Sequence, residues 1–209
     1  MNTNVRQELL TTVQQTHSLG LNHGTAGNVS VRDGAGFLIT PSALPHDRCL
    51  ADDLVWISHK GKEEGRRKPS SEWRMHSSIY HHFAGAGAIL HAHAPCCTTL
   101  ACLERPIPAF HYMIAIAGGD DIRCAAYATF GTQALSDGAI AALQGRKAAL
   151  LAHHGMICYA ADLPSVLSLA VEVEALARMY VMALQIAEPP QLTAEAMSEV
   201  LLRFKEYKP

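Results

Sequence analysis

The sequence predicts a single domain of the α/β or α+β class, on three observations. The chain has 209 residues, a length suited to one substantial hydrophobic core. Hydrophobic residues make up 49% and charged residues 17%, the balance of an ordinary globular protein. Apolar residues repeat at helical spacing in some segments and alternate at strand spacing in others, with no internal repeat, low-complexity run or linker between them.

Taken in order, Val5, Leu9 and Val13 in "NVRQELLTTVQQTHSLGL" recur at helical spacing, and Gly20 is placed to end that helix. "GNVSVR" and "GFLITP" read as two strands around the turn "DGAG", because Val29 and Val31 alternate with polar residues. "LVWIS" at 54–58 reads as a third strand. Pro69, Ser70, Ser71 and Glu72 have the form of a helix start, a hydroxyl cap followed by an acid in the first turn. The helix they open, "EWRMHSSIYHHF", is expected to end near Gly85 and Gly87, with His76, His81 and His82 on a surface or boundary face. "AILHAHA" and "AALLAHHGMICY" (148–159) are each expected to be one strand. Asp162 is placed to cap a long helix running from about Pro164 to the "EPP" at 188–190. Thr193 would cap a last helix, so residues 191–209 are expected to form a C-terminal helical arm on a single domain, 1–209.

The charge balance excludes some functions. A formal net charge of −2 argues against a nucleic-acid binder, and the one basic cluster, "GRRKP" at 65–69, is short enough to be a solvated loop. No run approaches the roughly 18 apolar residues of a membrane span, and "MNTNVRQELL" lacks the apolar core of a signal peptide, so a cytoplasmic protein is expected. The six cysteines form no C-x-x-C pair and are expected as buried free thiols.

Twelve histidines are unusual, and several cluster. In "HAHAPCC", His91 and His93 are two apart on an expected strand and therefore share a side, where two imidazoles suit a transition metal, most often zinc. H-x-H also occurs in ordinary strands, so the pair alone leaves a structural reading open. "LLAHHGM" offers a third ligand, but His153 and His154 are adjacent and diverge, so only one can join; Gly155 beside them permits a tight turn. Glu72, at a helix start, is the fourth candidate. Three histidines and a carboxylate complete a tetrahedral zinc site. A catalytic zinc needs an open position, so the carboxylate would be exchangeable and free to act as a base. The deaminase pattern H-x-E…P-C-x-x-C and the helical H-E-x-x-H motif are both absent.

With those residues in view, the chain resembles the class II aldolase/adducin family over nearly its whole length, and within it the branch acting on L-fuculose 1-phosphate. The matching stretches include "GTAGNVSVR", "KPSSEWRMH", "HAHAPCCT", "AFHYMIAIAGG", "YATFGT", "LLAHHGMI" and the terminal "FKEY". The resemblance implies one α/β domain with a central, mostly antiparallel sheet flanked by helices, assembled as a homotetramer with active sites between subunits. It implies one Zn²⁺ per chain on His91, His93, His154 and Glu72, with Glu72 also the catalytic base. Thr25, Asn28, Ser42, Ala43, Ser70 and Ser71 would hold the phosphate, and Tyr112, from a neighbouring subunit, would be the proton donor. Phe130 would line the aldehyde side, and Phe204 and Tyr207 would close over the site.

The implied activity is reversible cleavage of a ketose 1-phosphate to dihydroxyacetone phosphate and an aldehyde such as L-lactaldehyde. The residues themselves agree that "KPSSE" suits an anion, since the first N–H groups of a helix are unpaired and its dipole favours negative charge. The family's usual T-P-T-G reads "TPSA" here, which puts the preferred sugar phosphate in question. Competing readings are an aldolase for another deoxy-ketose 1-phosphate, such as 5-deoxyribulose 1-phosphate, and a dehydratase of a sulfur-containing ribulose phosphate. A pentulose-phosphate 4-epimerase would typically carry aspartate where Glu72 stands. Outside enzymes, a non-catalytic adducin-like module predicts loss of the metal ligands, and a metal-storage or sensing protein would use the many His and Cys residues.

Overall fold

The computed structural model describes residues 3–206. Among them, eight strands form one sheet: β1 (Asn28–Asp33), β2 (Gly36–Ile39), β3 (Val55–Ser58), β4 (Glu63–Glu64), β5 (Ala88–Ala92), β6 (Arg123–Ala125), β7 (Ala148–Leu151) and β8 (Gly155–Ala160). Their order is β4-β3-β2-β1-β5-β8-β7-β6. Neighbours pair antiparallel except β6 and β7, so the sheet is mixed but mostly antiparallel, as expected.

Helices cover both faces. α1 (Thr3–Ser18), α3 (Pro95–Cys102), α5 (Leu163–Leu184) and α6 (Ala194–Glu206) share one core with Val29, Leu90 and Leu150, to which they contribute Leu9, Leu100, Val173 and Met197. α2 (Trp73–His82) and α4 (Gln133–Ala142) close the other, where Met75, Ile79 and Leu135 meet Phe37, Ile57, Ile89 and Ile157. Ile89 and Leu90, adjacent on β5, thus enter opposite cores. That is why the central strands read as continuous apolar runs rather than alternating ones.

Several boundaries follow the local chemistry. Gly20 ends α1 in a left-handed conformation (φ 72°), the Asp162 carboxylate accepts the Ser165 N–H at 2.8 Å to open α5, and Thr193 Oγ1 accepts the Ala196 N–H at 3.2 Å to open α6. Ahead of α6, the Leu192 N–H donates to Ala109 O at 2.8 Å.

Other elements differ from expectation. Residues 148–159 are two strands, not one: the chain reverses at Ala152–His154, with His153 left-handed (φ 53°) and the His154 N–H bonded to Leu151 O at 3.0 Å. No turn dipeptide marks the reversal, and Gly155 makes it possible. A Cβ there would lie 2.4 Å from Ala92 O. α2 begins at Trp73 with no side-chain cap; Ser70 Oγ instead accepts the Glu72 N–H at 3.3 Å, and the Glu72 carboxylate turns away from the helix. α3, β6 and α4, in the stretch 95–147, carry no pattern that the sequence reading resolved. Three of the six cysteines are buried, but Cys102 is exposed at the end of α3.

Candidate active site

His91 sits near the end of β5, fully buried and paired across the sheet with Asn28 of β1 and Ile157 of β8. Its Nδ1 lies 2.8 Å from Met156 O, and an Nδ1–H donated there leaves the lone pair on Nε2. His93 lies one residue past β5 and is held by its backbone, whose N–H donates to Asn22 Oδ1 at 3.0 Å. His154 comes from the β7–β8 reversal. The three rings stand edge to face, with centroids 4.7, 4.9 and 5.0 Å apart. His91 Nε2 is 3.1 Å from His93 Nε2 and 3.1 Å from Glu72 Oε2, and His154 Nε2 is 3.4 Å from Glu72 Oε1.

These four residues fit a metal cation. Metal–nitrogen bonds of about 2.0–2.1 Å in a tetrahedron put ligand atoms roughly 3.3 Å apart, close to the separations observed. Glu72 Oε1 is buried and accepts no hydrogen bond, an expensive state for a carboxylate oxygen unless a positive charge faces it. The protonation tendencies agree. Burial works against the charge of Glu72, but the imidazoles of His91 and His154 and the Asn28 amide hold it well below the usual carboxylate range. Burial, and then repulsion from His91, push His93 and His154 down to about 4, leaving their ring nitrogens free at neutral pH. Burial also opposes a charge on His91, but Glu72 raises it; the Glu72–His91 pair therefore attracts positive charge.

Three members of the cluster, Glu72, His93 and His154, line a cavity of about 350 Å³, while His91 is fully buried against them. Thr25–Asn28, Pro41–Ala43, Ser70–Ser71, Tyr127, Ala128, Phe130 and His153 complete the lining of the cavity. Among the described residues no Lys or Arg lines it, so an anion would be met by hydroxyls and backbone amides. The Ser42 N–H already donates to Lys68 O at 3.0 Å, which leaves Ser42 its hydroxyl. Ala43 adopts φ 55°, the left-handed conformation that the glycine of T-P-T-G would take without strain. Gly27 is also left-handed (φ 73°), and a Cβ there would fall 2.3 Å from Asn22 Oδ1.

The structure thus gathers all the expected metal ligands into one cluster and sets Thr25, Asn28, Ser42, Ala43, Ser70, Ser71 and Phe130 around the cavity that Glu72, His93 and His154 border. It does not bring Tyr112 or Phe204 to that cavity within one chain. Tyr112 is 51% exposed in a 3-10 turn (Tyr112–Ala117), and Phe204 packs partly buried against the core beneath α6. Tyr207 lies outside the described residues.

One residue gains a contact that the sequence did not suggest, and one expectation needs correction. Asn28 does more than face a ligand, since its amide donates to Glu72 Oε2 at 3.0 Å. His76 is not on a surface face: it is fully buried, with Nε2 2.6 Å from Asn28 Oδ1. The signal for His76 was its place four residues after Glu72, on the same side of the helix. His153, diverging as expected, bonds Glu104 at 3.1 Å. Cys96 and Cys97 stay clear of the cluster; their backbone N–H groups are bound by the Glu174 carboxylate at 2.8 and 2.9 Å.

Residues 7–181 match the family model described as the class II aldolase and adducin N-terminal domain. The chain belongs to the class II aldolase and adducin family. Among its relatives, a 5-methylthioribulose-1-phosphate/5-deoxyribulose-1-phosphate aldolase of Rhodospirillum rubrum is 56% identical over 203 residues, covering 97% of this chain and 92% of that protein. An L-fuculose phosphate aldolase of Escherichia coli K12 is 48% identical over 202 residues, covering 96% and 94%. A solved L-fuculose 1-phosphate aldolase superposes with a TM-score of 0.95 at 40% identity, covering 98% of each chain. Within this class II aldolase-like domain, no helix among the described residues is long and apolar enough to cross a membrane.

Proposed function

We propose that the chain is a Zn²⁺-dependent aldolase that reversibly cleaves a ketose 1-phosphate between C3 and C4 to dihydroxyacetone phosphate and a short aldehyde. The observation that carries this reading is the buried Oε1 of Glu72, which accepts no hydrogen bond, in a carboxylate set against His91 and His154 of the three-imidazole cluster beside a hydroxyl-lined cavity. Bound there by His91, His93, His154 and Glu72, Zn²⁺ would supply a Lewis acid for the ketone oxygen. Thr25, Ser42, Ser70 and Ser71 would hold the phosphate through their hydroxyls, with the backbone of Ala43 beside them. In the cleavage direction the C4 hydroxyl loses its proton, the C3–C4 electron pair passes to C3, and C3 takes up a proton carried by Glu72. Tyr112 would receive the C4 hydroxyl proton. Its exposure and its absence from the lining of its own chain's cavity support a donor from a neighbouring copy, in a homotetramer.

For the substrate we favour a 5-deoxypentulose 1-phosphate or its 5-methylthio analogue, on the 56% identity to the Rhodospirillum rubrum aldolase. The exposed aromatic faces of Tyr127 and Phe130 on the aldehyde side suit an apolar tail. L-fuculose 1-phosphate is the second reading, supported by the 48% identity to the Escherichia coli aldolase and by the 0.95 superposition. The test is a cleavage assay over 5-deoxyribulose, 5-methylthioribulose and L-fuculose 1-phosphates, trapping acetaldehyde, methylthioacetaldehyde or L-lactaldehyde. One zinc per chain, loss of activity with a chelator, and a fall of about 10²–10⁴-fold in turnover for Glu72→Gln are expected. Undiminished proton exchange at C3 in Glu72→Gln would remove Glu72 from the base role.

A further inference from the structure

The buried residues between β1 and α2 form a polar ladder in what is otherwise an apolar core. Two residues of strand advance about 6.6 Å and four residues of helix about 6.0 Å, so β1 positions 28 and 30 stay in step with position 72, just ahead of α2, and with α2 positions 76 and 80. Asn28 bonds Glu72 (3.0 Å) and His76 (2.6 Å), and Ser30 bonds His76 Nδ1 (2.6 Å) and Tyr80 Oη (2.8 Å). All five are buried, Ser30 and His76 fully so.

The directions of these bonds follow from one end. An ionised Glu72 can only accept, so Asn28 presents its NH₂ to it and its carbonyl to His76. That carbonyl needs a donor, which places a proton on His76 Nε2. The ring is fully buried with no carboxylate bonded to it, so a second proton on it would be an unpaired buried charge; the ring is neutral, and its Nδ1 accepts the Ser30 O–H. Ser30 in turn accepts the Tyr80 O–H. Every donor along the ladder therefore points towards Glu72.

We infer that His76 is a positioning residue for the metal site: by donating from Nε2 it fixes the Asn28 amide with its NH₂ towards Glu72, and so sets where the Glu72 carboxylate stands. A flipped Asn28 amide would turn its oxygen on the carboxylate, and like partial charges would push Glu72 off the cation. The inference rests on the metal-site part of the function proposed above, and its test needs no substrate.

In full-length protein, nitrogen-15 NMR of the His76 ring should show the neutral Nε2–H tautomer; the Nδ1–H tautomer overturns the inference. Zn²⁺ affinity, by competition with a chromophoric chelator, should fall about 10- to 100-fold in His76→Leu. It should largely recover in His76→Gln, whose amide can both donate to Asn28 and accept from Ser30. With circular dichroism confirming the fold, kcat should fall with the affinity while KM changes little. Tyr80→Phe, which leaves Ser30 free to donate, should bind zinc like the parent chain. Parental zinc affinity in folded His76→Leu, or no recovery in His76→Gln, overturns the inference. A parent chain that binds zinc but cleaves none of the ketose phosphates would sink the substrate assignment alone.

Discussion

The two faces of β1 carry opposite chemistry. Val29, fully buried, and Val31, partly buried, turn towards the core shared by α1 and α5. Asn28, Ser30 and Arg32 turn towards α2, where Arg32 donates to Tyr80 O and Ala86 O, both at 2.6 Å, and lies over the Tyr80 ring. On the apolar face each contact is one of many and none is directional, so the loss of one is a loss of area. On the polar face each side chain has a named partner, and the buried ones, Asn28 and Ser30, share theirs, so the loss of one orphans the next. A single strand therefore separates what holds the domain together from what sets the metal site.

The largest effect that sharpens this contrast is expected from Asn28→Ala. Removing that amide leaves Glu72 Oε2 without its donor and His76 without its acceptor. A hydrogen bond to a charged group contributes about 1.5–3 kcal/mol, so turnover should drop about 10- to 100-fold. Val29→Ala, one residue away on the other face, should do the reverse. Two buried methyl groups and the space they leave cost about 2 kcal/mol of stability, read by chemical denaturation, while turnover per folded molecule stays at the parental value. If Val29→Ala slowed catalysis as much as Asn28→Ala, the separation of the two faces would fail.

The same contrast explains what could be read from the sequence. Val29 and Val31 announce a strand because apolar alternation is a local signal, and the clustered histidines mark candidate ligands locally, although H-x-H alone left a structural reading open and the choice of His154 over His153 came with the family resemblance. Asp162 and Thr193 were legible as caps for the same local reason. His76 was not legible as part of the site. Its burial depends on meeting Asn28 and Ser30, more than forty positions earlier in the chain, and its one local mark, the place four residues after Glu72, does not by itself set it apart as buried from the exposed His81 and His82. The reversal at His153 was hidden likewise, because its cause is the close approach of Gly155 to Ala92 on a neighbouring strand. Local chemistry shows in sequence; a bond between distant elements does not.

The smallest effect tests whether the apolar side is indifferent to the site at long range. Asp162 caps α5, which packs on the same face as Val29, and its carboxylate is held below the usual range by Ser165, first through its side chain and then through its N–H. Asp162→Ala should cost about 1 kcal/mol, a drop of about 2–4 °C in melting temperature, with turnover unchanged. Because the folded pKa lies below that of the unfolded chain, near 3.9, the cap contributes fully above about pH 4. Its contribution fades as pH falls through the folded value. The melting gap between parent and variant should therefore be constant from neutral pH down to about pH 5 and should close in stronger acid. A gap that widened on acidification would mean that the neutral carboxyl, not the carboxylate, caps the helix. A fall in turnover alongside the lost cap would show that α5 transmits strain through β5 to His91, and the two faces of the sheet would then have to be treated as one.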